Sequence, residues 1–215
     1  MSRTRKYPLL LIACGALARE TTEILRLNNL AGIEVQCLPA KLHNTPQLIP
    51  EAVRSEIRAA RHRFDRIFVL YGDCGTGGLL DEVLAEEGVE RIAGAHCYEF
   101  FAGSRDFEAL AEEEPASFFL TDFLVRHFER LIITGLGIDR HPELLPLYFG
   151  NYKRVVYLAQ THAPRQIAAA RDAAERLGLA FEYRFTGYGD MDTAIVTASR
   201  RSRTEKRATA ALIES

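Results

Sequence analysis

Aliphatic runs that alternate with helix-like segments are the feature that most limits what this chain can fold into. PLLLIAC (8–14) is followed by ALARETTEILRLNN, whose apolar residues have helical spacing. The other strand-like runs are IEVQCLP (33–39), RIFVLYG (66–72), RIAGAHC (91–97), RLIITGLG (130–137), RVVYLAQ (154–160), LAFEYRF (179–185) and a weaker AIVTA (194–198). Continuous aliphatic strands separated by helices are typical of a parallel sheet covered on both faces. We therefore predict an α/β fold with a single doubly wound, mostly parallel sheet and helices on both faces.

The predicted domain organisation is simple. We expect one α/β domain over residues 1–199, because no repeat, low-complexity insert or linker interrupts the pattern. Within it, 106–130 has the pattern of a long helical region with a break near Pro115. The segment 200–215 begins with RRSRTEKR and is expected to be a basic, flexible tail.

Charge and hydropathy argue against two classes of partner. The formal net charge is -2, so the chain has no general electrostatic attraction to nucleic acid or to an anionic membrane. No apolar run approaches the roughly 20 residues that span a bilayer. The short run before Cys14 fits a buried first strand better than a cleaved signal. We expect a cytoplasmic protein whose four cysteines are free thiols or metal ligands rather than disulfides.

Four ligand-type residues occupy equivalent places, at the ends of successive predicted strands. They are Cys14 in ACGA, His43 in LPAKLHNTP, Cys74 in YGDCGTGG and Cys97 in AHCYEF. Because the carboxyl ends of parallel strands lie on one side of a sheet, we expect these side chains to converge there. A helix N-terminus predicted beside Cys14 and beside Cys74 favours the thiolate. A cysteine is also a common small core residue, which is our assignment for Cys37.

The donor set leaves more than one chemistry open. Three thiolates and one imidazole match tetrahedral zinc. Three thiolates alone suit an iron–sulfur cluster with one iron open to substrate or to His43. A metal-free alternative is nucleophilic catalysis, with Cys74 or Cys97 as nucleophile and His43 or His96 as base, but it leaves the other cysteines without a role. A phosphate site at YGDCGTGG is disfavoured, because the stretch matches neither glycine-rich nucleotide motif and no lysine follows it.

The succession ACGALARE, LPAKLHNTP, YGDCGTGG, AHCYEFFAGS and FFLTDF resembles the DUF1638 family, a bacterial and archaeal family of undefined function. The resemblance runs through these motifs over residues 8–125 and more loosely to 197, and it includes Cys14, His43, Cys74 and Cys97. The sequence departs from the family pattern before the third cysteine, where Ala95–His96 replaces a His-Asp pair and the preceding arginine has no counterpart. Family members are often encoded near corrinoid-dependent methyltransferases and their reactivation proteins. The resemblance therefore implies a one-carbon setting, with a corrinoid protein or a methyltransferase as partner.

Several further residues are expected near the same site. Asp73 is either an acceptor for a ligand imidazole or a turn residue. Gly75, Gly77 and Gly78 are expected at positive φ, where they leave the backbone open to a ligand. The residues expected to line the pocket or to contact the ligand residues are Asp73, His96, Gly75, Gly77, Thr121 and Asp122. Thr121–Asp122 also has the pattern of a helix N-cap.

We therefore predict a metal-binding α/β protein with a site of three cysteines and one histidine. It is either an enzyme, a transferase or lyase that acts on a small molecule, or an accessory protein that delivers or reactivates a metal or corrinoid centre. The sequence identifies no catalytic acid or base. It also leaves the substrate, the choice between zinc and an iron–sulfur cluster, and the oligomeric state open.

Overall fold

The computed structural model describes residues 7–113 and 115–213. Two compact units make up this part of the chain: Phe101–Gly189 forms the second unit, and the described residues on either side of it form the first. The strands are β1 (Tyr7–Cys14), β2 (Ile33–Leu38), β3 (Phe64–Leu70), β4 (Glu90–Arg91), β5 (Ser117–Thr121), β6 (Arg154–Ala159) and β7 (Ala180–Phe185). The α-helices are α1 (Ala18–Leu27), α2 (Ile49–Ala60), α3 (Leu79–Glu87), α4 (Cys97–Ala102), α5 (Ser104–Glu113), α6 (Asp122–Arg126), α7 (Leu145–Phe149), α8 (Pro164–Leu177) and α9 (Gly189–Ile213).

The first unit is built on a four-stranded parallel sheet in the order β2-β1-β3-β4. Strand β1 lies inside the sheet, and its residues from Leu9 to Cys14 are all buried. This explains its unbroken aliphatic sequence, because a central strand of such a sheet meets apolar neighbours on both faces. Helices α1 and α2 are amphipathic and bury one side, with Ile24 and Ile57 fully inaccessible.

The second unit contains a three-stranded parallel sheet in the order β5-β6-β7. All residues of the central strand β6 after its first are buried. Helix α8 contributes the small residues Ala170, Ala173 and Ala174 to the same apolar core. The helix ends at Gly178, whose φ of 70° is the left-handed conformation that commonly stops a helix.

The prediction of an α/β fold with parallel strands is confirmed, but the prediction of a single sheet is wrong. The described strands form two sheets, one in each unit. Strand β4 keeps only Arg91 of the expected strand 91–97, because the chain then turns away to pack against the end of β3. Helix α9 continues without a break through residue 200, where the sequence suggested that a tail begins. Among the described helices, none combines the length and the apolar character needed to cross a membrane.

Three further local predictions are corrected. The run 130–137 is not a strand: Glu129–Thr134 forms one π-helical segment that buries Ile133. The run 194–198 lies inside α9. Conversely, β5 (Ser117–Thr121) occupies part of the region 106–130, which was expected to be helical with a break near Pro115.

Candidate functional site

The first functional side chain, Cys14, is fixed at the end of β1. Register between β1 and β3 pairs Ala13 with Leu70, so Cys14 and Tyr71 follow side by side. Cys14 is buried, and the backbone N–H of Ala16 donates to its Sγ at 3.3 Å as the chain enters a short 3-10 turn. The sulfur therefore has a defined position before any ligand is considered.

His43 reaches Cys14 because Gly15 lets the chain after β2 approach closely. A Cβ on Gly15 would lie 2.9 Å from the Leu38 carbonyl oxygen and 3.2 Å from the Ala40 nitrogen. His43 Nδ1 lies 3.6 Å from Cys14 Sγ and 3.2 Å from the Ala40 carbonyl oxygen. A proton on Nδ1 serves both acceptors and leaves the lone pair on Nε2. The residue His43 as a whole is exposed, but its ring is largely shielded from water. This burial lowers the pKa of the imidazole and favours its neutral form.

Cys74 sits in the glycine-rich turn after β3 with a φ of 51°. The expected positive φ values of Gly75, Gly77 and Gly78 are confirmed, at 82°, 64° and 88°. A side chain at positive φ is disfavoured, so a cysteine among glycines in this conformation suggests that the thiol is needed there. Burial, followed by the charge of Cys14, raises the pKa of Cys74 to about 11.

Asp73 organises this turn from within. Its carboxylate accepts hydrogen bonds from Thr76 Oγ1 at 2.7 Å, from the Gly78 N–H at 2.8 Å and from the Gly77 N–H at 3.1 Å. These donors hold the pKa of Asp73 below its ordinary value, the Gly78 N–H first. Since the carboxylate already occupies amides that would cradle a phosphate, the turn is a poor anion site. The contacts of Asp73 agree with the turn role that the sequence allowed.

Cys97 is brought to Cys74 by the segment that follows β4. A Cβ on Gly72 would lie only 2.8 Å from the His96 nitrogen, so this segment can pack directly on the turn. Two backbone hydrogen bonds hold it there, from Asp73 to Gly94 at 3.1 Å and from Cys74 to Ala95 at 2.7 Å. Cys97 was expected at the end of a strand and is instead the first residue of α4.

His96 lies in the same segment and is half-buried. Its ring packs edge-on against Tyr98, with centroids 5.1 Å apart, and burial lowers its pKa. The side chain is therefore a neutral imidazole that contacts an aromatic neighbour on its own segment.

We use the name thiol cluster for Cys14, Cys74 and Cys97. Burial is the largest cause of the raised pKa of Cys97, and the charges of Cys74 and Cys14 raise this pKa further. Burial is also the largest cause of the raised pKa of Cys14. The three thiols thus lie within electrostatic range of one another and are neutral near pH 7 as they stand.

Three residues near the thiol cluster escaped the sequence analysis. Tyr71, in the same motif as Cys74, is buried with its hydroxyl beside the Cys14 sulfur. Glu20 has the appearance of a solvated residue in an amphipathic helix, yet it is only 3% exposed and its charge would raise the pKa of Cys97. Cys37 lies nearer than its place inside β2 suggested, since its charge would raise the pKa of Cys14.

The donor set can be compared with the needs of a metal centre. Within the described part of the chain, no three His, Cys, Asp or Glu side chains are already arranged as a metal site. In kind, however, three neighbouring thiols and a neutral imidazole fit a thiophilic metal. The buried hydroxyl of Tyr71, without a hydrogen-bond partner among the described residues, also points to a group missing from this place. A metal would require the thiols to ionise and turn towards a common centre.

Thr121 and Asp122, the remaining predicted pocket residues, belong to the second unit. Thr121 caps α6 as expected, accepting a hydrogen bond from the Leu124 N–H through its side chain. Asp122 is buried and accepts hydrogen bonds from Tyr157 Oη at 2.6 Å and from the Gln160 N–H at 3.0 Å. These contacts tie the end of β5 to β6.

Comparison with protein families identifies a family that includes most of this chain. A family model described as "Protein of unknown function (DUF1638)" matches residues 37–195 of the 215. His43, Cys74 and Cys97 lie inside the matched range, and Cys14 lies before it. A search of curated proteins found no match.

Proposed function

The chain belongs to the DUF1638 family, whose function is not defined, and we propose that it binds a thiophilic metal centre at the thiol cluster. The centre is a zinc ion or an iron–sulfur cluster. The observation that supports the proposal is that three thiols from three separate segments, at the end of β1, in the turn after β3 and at the start of α4, lie within electrostatic range of one another. Three neighbouring thiols, whose negative charges would repel one another, ionise together most readily when a soft cation binds to them.

His43 is the proposed fourth group. Its contact with Cys14 and its neutral imidazole support ligation of zinc through Nε2. With an iron–sulfur cluster, three cysteines leave one iron for His43 or for a substrate. Bound zinc would supply a Lewis acid that activates a thiol substrate as thiolate where the substrate takes the fourth position in place of His43. A cluster would supply an open iron for Lewis-acid or redox chemistry.

The setting that we propose is corrinoid-linked one-carbon metabolism, as the family resemblance implies. The protein is either a transferase or lyase acting on a small molecule, or an accessory factor that delivers or reactivates the metal or corrinoid centre of a methyltransferase. Reduced thiols at the cluster are consistent with a location in the cytoplasm. Methyl transfer by the purified protein alone supports the enzyme, and stimulation of a separate corrinoid methyltransferase without such turnover supports the accessory role.

A second candidate function is metal-free nucleophilic catalysis. The observation that favours it is the distance of 3.6 Å between Cys14 Sγ and His43 Nδ1, which places Cys14, rather than Cys74 or Cys97, next to an imidazole. His43 acts as its base only in the tautomer that leaves Nδ1 unprotonated, which gives up the hydrogen bond to the Ala40 carbonyl oxygen. Burial raises the pKa of the Cys14 thiol, which disfavours the free thiolate that this chemistry needs. We therefore rank it second.

Metal analysis of three proteins tests the proposal. The wild type, Cys74→Ser and Cys37→Ser are purified under anaerobic conditions, and zinc, iron and sulfide are quantified beside an absorption spectrum. We expect the wild type to carry a stoichiometric thiophilic metal, Cys74→Ser to lose most of it, and the matched control Cys37→Ser to retain it. A hydroxyl has nearly the volume of a thiol but is a poor soft-metal ligand.

The same metal analysis can also refute the metal proposal. If the anaerobic wild type contains no thiophilic metal and takes none up on addition of zinc or of iron and sulfide, the metal proposal is wrong. Nucleophilic catalysis then becomes the leading function, and selective alkylation of Cys14 that is slowed by His43→Ala would support it.

A further inference from the structure

Tyr71 is the aromatic residue that covers the Cys14 side of the thiol cluster. It directly follows β3, and the pairing of Ala13 with Leu70 sets it level with Cys14 on the neighbouring strand. Its side chain is only 1% exposed. The His43 ring lies nearly parallel to the Tyr71 ring, at an interplanar angle of 14° and a centroid distance of 6.2 Å. The phenol ring is thus confined by Cys14 and His43.

The hydroxyl of Tyr71 is not satisfied in this position. It is buried beside the Cys14 sulfur, but among the described residues no atom makes a well-formed hydrogen bond with it. A buried hydroxyl without a partner costs free energy and therefore asks for an explanation. A tyrosine phenol is an O–H donor near pH 7, so the group can donate a hydrogen bond where an acceptor is present.

The sulfur beside it changes its hydrogen-bonding capacity with its charge. A neutral thiol is a weak acceptor, whereas a thiolate accepts short, charge-assisted hydrogen bonds. Cys14 Sγ already receives the Ala16 N–H at 3.3 Å. A thiolate there has room for a second donor, and the Tyr71 hydroxyl is the neighbouring group without a partner.

We infer that Tyr71 is a positioning residue of the thiol cluster, whose hydroxyl donates a hydrogen bond to the Cys14 sulfur when that sulfur is a thiolate. The hydrogen bond holds the sulfur towards the bound metal and stabilises its negative charge. The inference rests on the proposed function, because metal binding is what turns Cys14 into a thiolate.

Tyr157 offers a matched comparison within the same chain. It is also completely buried, but its hydroxyl donates to Asp122 Oδ1 at 2.6 Å. Removal of the Tyr157 hydroxyl therefore breaks a formed hydrogen bond in the second unit, outside the thiol cluster. Removal of the Tyr71 hydroxyl breaks no well-formed hydrogen bond in the metal-free protein, so the two substitutions have opposite expected effects.

The test compares Tyr71→Phe and Tyr157→Phe with the wild type. Zinc affinity is measured by competition with a chromophoric chelator, and the absorption spectrum of the cobalt(II) form reports on thiolate ligation. For Tyr71→Phe we expect zinc affinity to fall by about 10- to 100-fold, as for other outer hydrogen bonds to metal ligands, and the thiolate bands to shift. Without metal, the melting temperature of Tyr71→Phe should match or exceed that of the wild type.

The control and the contrary outcomes separate the inference from the proposed function. Tyr157→Phe should melt earlier and bind zinc like the wild type. Unchanged zinc affinity and an unchanged cobalt spectrum in Tyr71→Phe would overturn the inference alone. A metal-free Tyr71→Phe that is destabilised as much as Tyr157→Phe, or that fails to fold, would also overturn it, because the hydroxyl would then already have a structural partner. A wild type that binds no metal overturns the proposed function and the inference together.

Discussion

Replacement of Gly72 by alanine tests how the segment that carries Cys97 is held against the glycine-rich turn. The new Cβ would lie 2.8 Å from the His96 nitrogen and 2.9 Å from the carbonyl carbon and oxygen of Ala95. These are backbone atoms, which cannot swing away as the end of a flexible side chain can. The segment must therefore shift as a whole, which weakens the hydrogen bond from Cys74 to Ala95 and the neighbouring one from Asp73.

The loss of stability in Gly72→Ala has two sources, the steric clash of the new Cβ and the weakened backbone hydrogen bonds. An overpacked contact costs about 1–3 kcal/mol, and each backbone hydrogen bond contributes about 1 kcal/mol. Because the shift relieves part of the clash while it weakens the hydrogen bonds, we expect the free energy of unfolding to fall by roughly 2–4 kcal/mol. Cys97 should also become accessible, since its surroundings depend on the displaced segment.

Urea denaturation measures the stability, and mass spectrometry of the alkylated native protein measures the accessibility of Cys97. Gly77→Ala is the matched control in the same turn: Gly77 has a φ of 64°, but no atom lies within 4 Å of its added Cβ. The control should lose only the cost of a side chain at positive φ, about 1–2 kcal/mol, and keep Cys97 protected. Equal stability of the two variants, together with unchanged alkylation of Cys97, would refute this account of the segment.

Two predictions concern the second unit. The guanidinium of Arg184, and secondly that of Arg154, holds the pKa of Glu182 below its ordinary value. The ionised carboxylate therefore stabilises the fold above pH ~4.3. This contribution disappears as the pH falls through the lowered pKa. At pH 7, Glu182→Gln should lower the free energy of unfolding by up to about 1 kcal/mol, because the ion pairs are partly exposed. In acid, the melting temperatures of Glu182→Gln and the wild type should converge. A difference that grows in acid contradicts the stabilising role of the Glu182 carboxylate. Asp122→Asn replaces an acceptor with a donor opposite groups such as Thr161 Oγ1, which donates at 2.8 Å. It should cost roughly 2–4 kcal/mol in urea denaturation, and a loss below about 0.5 kcal/mol would show that the buried carboxylate is not needed.

Continuous burial explains which strands could be predicted from the sequence. The runs 9–14 of β1, 67–70 of β3 and 155–159 of β6 are apolar on both sides because both faces of each are covered, and the pattern alone identifies them. The same pattern fails for 130–137 and 194–198, because a short apolar run fits a buried helix as well as a strand. Ile133 and Ile195 are both fully buried in helical segments. The aromatic run of β5 was missed because it follows directly on a helical pattern.

The candidate site was predictable where it depends on strand ends and not where it depends on packing. Cys14 and Cys74 follow β1 and β3 as the parallel arrangement requires. Cys97 was predicted at the end of a strand and lies instead at the first residue of α4, after a turn. Glu20 and Tyr71 carry no periodic signal that distinguishes a site residue from a surface or core residue. Their burial is set by contacts with distant segments.

His43 and the thiol cluster are brought together by two close backbone approaches, each of which a glycine permits. Gly15 admits the chain that carries His43, and Gly72 admits the chain that carries Cys97. In both places the neighbour is backbone, so a larger residue would displace the whole segment and its functional side chain. The conformation of Cys74 at positive φ is held by the same contact, through its N–H to Ala95. Gly15 and Gly72 therefore do more than allow tight turns: they set how closely the segment that carries His43 approaches Cys14 and how closely the segment that carries Cys97 approaches Cys74.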